Sequence, residues 1–167
     1  MRMELIQPLI NAAEAVFAEA LQGPTKIGDL VMEEEAYHRK GVAALIVIKG
    51  DIEGRIILDL APDVALRVAA MLTGAEVVDS EQTVCETVCE LANMVIGNSV
   101  TLLNDQGYRF KVFPPEIHMN DQGLAGSRDT EAMVLAIETT CGNIYLNIAM
   151  HHLARRRRER DAVPISS

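Results

Sequence analysis

The sequence predicts an α+β domain in which long helices pack on a mainly antiparallel sheet of about six strands, with an internal pseudo-duplication. Three observations lead there. The elements come in blocks, a helix followed by strands, and the block occurs twice; a doubly wound fold would alternate single strands with helices. The heptapeptide at residues 54–60 (GRIILDL) echoes that at 142–148 (GNIYLNI), each placing apolar residues at alternate positions after a turn glycine. No Pro/Ser/Gly-rich linker separates the blocks, so they read as one unit.

Each element follows from local pattern. Leu9, Ile10, Ala13, Val16, Phe17, Ala20 and Leu21 recur at helical spacing, and Gly23-Pro24 stops the pattern. Pro8 suits only the start of a helix, so the regular part is expected to begin close to it. Strands are expected at residues 27–34, 42–49 and 54–60, the last two joined by a hairpin turn at 50–54. Pro62 opens a short helix to about Leu72, ended by Gly74. A long helix runs from residue 80 or 81 to about 104, with Ser80 as N-cap, Glu81 in the first turn and Gly107 past its end. Four strand-like segments follow at 108–113, 116–119, 131–139 and 143–150, while 120–129 (NDQGLAGSRD) has loop composition.

The chain has 167 residues, 49% hydrophobic and 23% charged, which is enough for one packed core and excludes wholesale disorder. Its net charge is -9. Outside the run 155–160 (RRRRER) ten basic residues face twenty-three acidic ones, a net of -13. A body that acidic repels phosphate backbones, so nucleic acid is not expected as a partner. The start, broken by Glu4 and Pro8, lacks a signal peptide's apolar middle, and no run approaches the ~20 apolar residues of a membrane span. A cytoplasmic location is expected, with a domain over 1–153 and a basic, flexible tail over 154–167. Cys85, Cys89 and Cys141 are too few for a disulfide framework and read as reduced core or helix-flank thiols. The eight Met read mostly as core filler. His151-His152, beside the Arg run, read as a strand end. His38 and His118 are far apart, no Cys/His set has zinc spacing, and there is no P-loop, so no metal site is expected.

The long helix carries the chemistry. At ~100° per residue, Val84, Val88, Leu91, Val95, Ser99 and Leu102 fall on one side as a core stripe. Glu86, Glu90, Asn93 and Gly97 fall opposite, within a narrow arc. Such a stripe is most simply a wet helix face. Two features set it apart. Glu90 and Asn93 stand at i and i+3, where side chains are neighbours. Asn and Gly are also poor helix-interior residues, Gly by ~1 kcal/mol relative to Ala, which suggests that something docks there and needs bare backbone.

The segment 89–98 (CELANMVIGN) resembles the Glu-x-x-Asn helix of the CheC/CheX/FliY phosphatases of bacterial chemotaxis, and within them CheX most closely. The resemblance extends to the hairpin at 50–60, the helix at 62–74 and Pro114-Pro115. In order of elements it covers roughly residues 5–150. Two details depart from the family: Glu86 stands where Asp or Ser is frequent, and its downstream proline falls slightly later. The first helix has only the reversed Asn11-x-x-Glu14, so a single active face is expected. The resemblance implies a CheC-like fold and hydrolysis of the aspartyl phosphate on a CheY-like receiver. Asn93 would position the attacking water. Glu90 would anchor a lysine of the receiver, and Glu86 and Gly97 would complete the docking face. No cofactor of its own is implied, since the receiver carries the Mg²⁺. A homodimer is also implied, and strands of the later half are the expected place for its seam. The alternative is a non-catalytic module of the same fold that docks a receiver or a flagellar switch component.

Overall fold

The computed structural model describes residues 3–33, 40–75, 78, 80–119 and 132–152. The expected loop at 120–129 and the tail at 154–167 lie outside them. Helix α1 spans Met3–Ala20 and is followed by two short strands, β1 (Lys26–Ile27) and β2 (Val31–Glu33), then two long ones, β3 (Val42–Gly50) and β4 (Ile52–Leu60). After α2 (Pro62–Thr73) the scheme repeats: α3 (Glu81–Asp105), short β5 (Phe110–Val112) and β6 (Glu116–His118), long β7 (Ala132–Thr139) and β8 (Gly142–His152).

All pairings are antiparallel, in the order β1-β7-β8-β4-β3-β5, with β2 also on β7 and β6 also on β3. Eight strands thus fill six positions. The halves interlock reciprocally, because the short strands of each lie on the long hairpin of the other. Both edges carry the same irregularity. Ile27 and Val31 are four positions apart where their β7 partners are three apart, and Val112 and Glu116 are four apart where theirs on β3 are three. One extra residue on each edge strand is a bulge, repeated by the pseudo-symmetry. The echoing heptapeptides meet at the centre, where β4 pairs with β8 from Ile52↔His152 to Leu60↔Ile144.

Alternation along the strands aims Ala44, Ile46, Ile56, Leu58, Leu135, Leu146 and Ile148 at the helices, forming one core with Leu9, Phe17, Val68, Val88 and Leu91. Gly54 is fixed by close approach. Its φ is +156°, and a Cβ there would lie 1.9 Å from the carbonyl oxygen of Ala149 on β8.

Four expectations need correction. The strand expected at 27–34 is split into β1 and β2, because Gly28 and Asp29 are poor strand formers and the bulge falls there. The hairpin turn shrinks to a reversal at Asp51, which donates its N–H to the Arg109 carbonyl (2.8 Å) and accepts the Arg109 N–H on Oδ2 (2.9 Å). Helix α1 begins at Met3 and carries Pro8 inside it. Burial of Leu5, Ile6, Leu9 and Ile10 outweighs the backbone bond that proline removes. The methionines are not mostly core: Met133 and Met150 are buried, but Met3, Met32, Met71, Met94 and Met119 are each more than a third exposed.

Candidate functional site

Helix α3 is well anchored. Ser80 Oγ accepts the Thr83 N–H at its start. At its end Gly107, at φ +94°, donates to the Asn104 carbonyl and Tyr108 to that of Leu103. The helix lies against α1, α2, β3 and β6. Beneath it Ala92, Val95 and Ile96 face Ala44, Ile46, Ile56, Leu58 and Leu146 around a void of about 10 Å³. That volume is at most one water molecule, and its lining is apolar.

Burial along α3 has a period of four. Buried residues form two adjacent i+4 rows, Val84-Val88-Ala92-Ile96 and Thr87-Leu91-Val95-Ser99-Leu103. Such rows are inclined to the helix axis, so the buried face winds round the helix as α3 passes its neighbours. Leu102, expected in the core stripe, belongs to neither row and is 40% exposed; Leu103 takes its place at 0%.

The open face consists of the other two rows, and it holds every site residue expected from sequence. Glu86, Glu90, Asn93 and Gly97 are all exposed, and helical geometry sets them within an arc of about 60°. Glu86 accepts a hydrogen bond from Gln82 Nε2 at 3.0 Å. Neither Glu90 nor Asn93 has a side-chain hydrogen bond or ion pair among the described residues. A carboxylate and an amide are thus held ready on a rigid helix with their bonding capacity unspent. A Cβ on Gly97 would meet nothing within 4 Å, so no contact inside the described chain demands glycine there.

Three neighbours escaped the sequence reading. Met94, 36% exposed, stands one turn after Glu90. Cys89 precedes Asn93 by one turn and Cys85 precedes Cys89 by one, both half-buried. Burial raises both thiol pKa values; Glu81 and Glu86 add to the effect at Cys85, and Cys85 adds to it at Cys89. The four-residue rhythm of apolar pairs is the signal that would have placed Met94 outside. Among the described residues no group of three His, Cys, Asp or Glu could hold a metal ion. No helix among them is long and apolar enough to cross a membrane.

The sequence model of the family described as "Chemotaxis phosphatase CheX" matches residues 42–138, more than half of the chain. The chain belongs to the CheX family. No curated protein matches it. A CheC-like superfamily protein from Shewanella sp. PV-4 superposes with a TM-score of 0.80 at 23% identity, covering 90% of this chain and 99% of its own. The CheX of Desulfovibrio desulfuricans does so with a TM-score of 0.79 at 19% identity, over 89% and 99%. These two show the shared fold. The CheX of Borrelia burgdorferi, solved in a complex with CheY, BeF3 and Mg²⁺, is 28% identical with a TM-score of 0.73, over 90% of this chain and 100% of its own. Membership in the CheX family accounts for the architecture of three helices on a six-position antiparallel sheet.

Proposed function

We propose that this chain hydrolyses the aspartyl phosphate of a CheY-like receiver in the cytoplasm. The observation that carries the reading is the exposed pair Glu90 and Asn93, with no partner among the described residues, beside a helical glycine that no contact there requires. The receiver supplies the phosphorylated Asp and its Mg²⁺, which neutralises charge on the phosphoryl oxygens. What remains is to align a water in line with the scissile P–O bond, because phosphoryl transfer is governed by positioning and charge stabilisation. The Asn93 amide does this by accepting a hydrogen bond from the water without adding negative charge beside the phosphoryl group. As the water oxygen bonds to phosphorus, the Asp carboxylate leaves and inorganic phosphate departs. Glu90 pairs with the receiver's active-site lysine, and Glu86 and Gly97 lie on the same docking face.

We also propose a homodimer, paired through the first-half edge strand β2 rather than through the strands of the later half that the sequence reading favoured. The sheet edge laid on β7 exposes Leu30, Val31 and Met32, at 47%, 52% and 47%, along β2 and the residue before it. Consecutive exposed apolar residues on an edge strand are a pairing surface unless covered.

Decay of phosphorylated receiver, with and without the protein, tests the activity. Asn93→Ala should bind a BeF3- and Mg²⁺-loaded receiver like the wild type, yet hydrolyse on the order of a hundredfold to a thousandfold more slowly. Glu90→Ala should weaken binding itself by ~2–5 kcal/mol. If Asn93→Ala hydrolyses at the wild-type rate, the amide does no chemistry. If the wild type binds receiver without hastening decay, the protein is a non-catalytic docking module.

A further inference from the structure

We propose that Cys85, Cys89 and Met119 form a three-sulfur site for a soft monovalent cation of the Cu(I) or Ag(I) class, placed to control access to Asn93. The Cys85 Sγ lies 3.0 Å from the Met119 Sδ, so a thioether from the segment after β6 meets a thiol on α3. Cys89 is one turn further along the same flank of α3, at the i,i+4 spacing that sets Cβ atoms about 5–6 Å apart and lets both sulfurs close on one ion. All three side chains are accessible: both cysteines are half-buried and Met119 is 37% exposed. Cysteine is among the residue types most often fully buried, so an accessible thiol against an accessible thioether, with a second accessible thiol one turn along the helix, is not explained by packing.

The ligand set selects the metal. Hard cations want oxygen, and no group of carboxylate, imidazole and thiol side chains converges among the described residues. Two thiolates and a thioether match a soft ion in trigonal coordination once the exposed Met119 side chain parts from its present contact with the Cys85 thiol to admit the ion. Glu81 and Glu86, whose charges act on Cys85, favour an approaching cation. A free thiol is protonated at neutral pH whereas the metal takes the thiolate, so binding must release protons. Each ion that forms two metal–thiolate bonds and one metal–thioether bond expels two protons to solvent, and no oxidant or reductant takes part. The control of access rests on the proposed function, since the loaded site sits one turn before Asn93 and crowds a receiver docking there.

The test is a titration of the full chain with Ag(I), a redox-inert probe, in chloride-free buffer, read by ultraviolet thiolate-to-metal absorbance and by proton release. One ion should bind per chain with two protons released, and apparent affinity should rise about a hundredfold per pH unit while both thiols are protonated. Cys85→Ser and Cys89→Ser should each abolish this site, and Met119→Leu should weaken it about tenfold or more. Far-UV circular dichroism confirms that each variant is folded. Wild-type affinity in Met119→Leu, or unchanged binding in the double cysteine variant, overturns the site. In the receiver assay one equivalent of Ag(I) should block hydrolysis by the wild type and spare the double cysteine variant. Full hydrolysis by the loaded wild type overturns the control of access and leaves the site standing.

Discussion

Replacing Gly97 by alanine should move stability and activity in opposite directions. Gly97 is exposed inside α3, nine residues before the Gln106 cap and well away from both ends, so its backbone is fully helical. Glycine there is less favourable than alanine by about 1 kcal/mol, mostly because the unfolded chain has more freedom to lose. That gain is normally offset when the new methyl strikes a neighbour, but here the nearest atoms outside the local helix lie beyond 4 Å. The full ~1 kcal/mol should therefore appear, which for a domain of this size raises Tm by roughly 2–4 °C. Function should suffer, because the same methyl stands where the receiver's surface is proposed to approach the backbone, between Asn93 and Thr101. Thermal unfolding gives the first readout and the rate of receiver dephosphorylation against receiver concentration gives the second, with KM expected to rise. A Tm that falls would show that Gly97 is held by something inside the protein. A higher Tm with unchanged KM would show that the bare backbone serves no docking.

Three further outcomes follow from the packing. Leu103→Ala removes a fully buried side chain and should cost about 2–5 kcal/mol in a denaturant titration, whereas Leu102→Ala should stay within about 0.5 kcal/mol; equal losses would contradict the two-row burial of α3. Gly54→Ala forces a Cβ to within 1.9 Å of the Ala149 carbonyl at a positive φ, so it should lower Tm steeply or prevent folding, and a variant as stable as the wild type would refute the close β4–β8 approach. Val31→Lys places a charge on the exposed edge strand and should give a monomer mass by light scattering where the wild type gives a dimer; a wild-type monomer would dispose of the proposed edge.

The sequence made the elements legible wherever local pattern and tertiary packing agree. Helix α3 was bounded to within a residue by Ser80 and Gly107, because capping is a local matter of side-chain oxygen and left-handed backbone. The strands of the β3–β4 and β7–β8 hairpins were visible as apolar, β-branched runs beside turn glycines, although five consecutive residues of β4 and of β8 are buried. What stayed hidden depends on neighbours. Pro8 lies inside α1 because Leu5 and Ile6 find a core that the local rule cannot see. Leu102 turned outward because a straight-helix projection assumes one flat partner, whereas α3 packs against α1, α2 and the sheet. Glu90 and Asn93 were legible because they are polar, exposed and three residues apart on a helix whose opposite side is plainly apolar. Met94 beside them carries an apolar label, so composition alone assigned it to the interior, whereas Cys89 read equally as a core or a helix-flank thiol.

The duplication also explains why one helix carries the open pair and the other does not. Helix α1 is the counterpart of α3, each preceding two short and two long strands. On α1 the fully exposed positions after the first two residues reduce to one row, Gln7-Asn11-Ala15-Glu19, because Ile10 and Ala12 are buried and Glu14 and Ala18 partly so. An i,i+3 pair of side chains cannot both sit freely on a single i+4 row. Asn11 and Glu14 illustrate this: Glu14 is half-covered, and the Asn11 Oδ1 already accepts a hydrogen bond from Gln7 Nε2 at 2.8 Å. Helix α3 keeps two exposed rows, 93-97-101 and 90-94-98-102, and Glu90 and Asn93 take one position from each. The width of the open face, rather than the presence of Glu and Asn in a helix, is what makes α3 able to present a carboxylate and an amide together. A Glu-x-x-Asn motif therefore supports docking and water alignment only where burial leaves two rows bare.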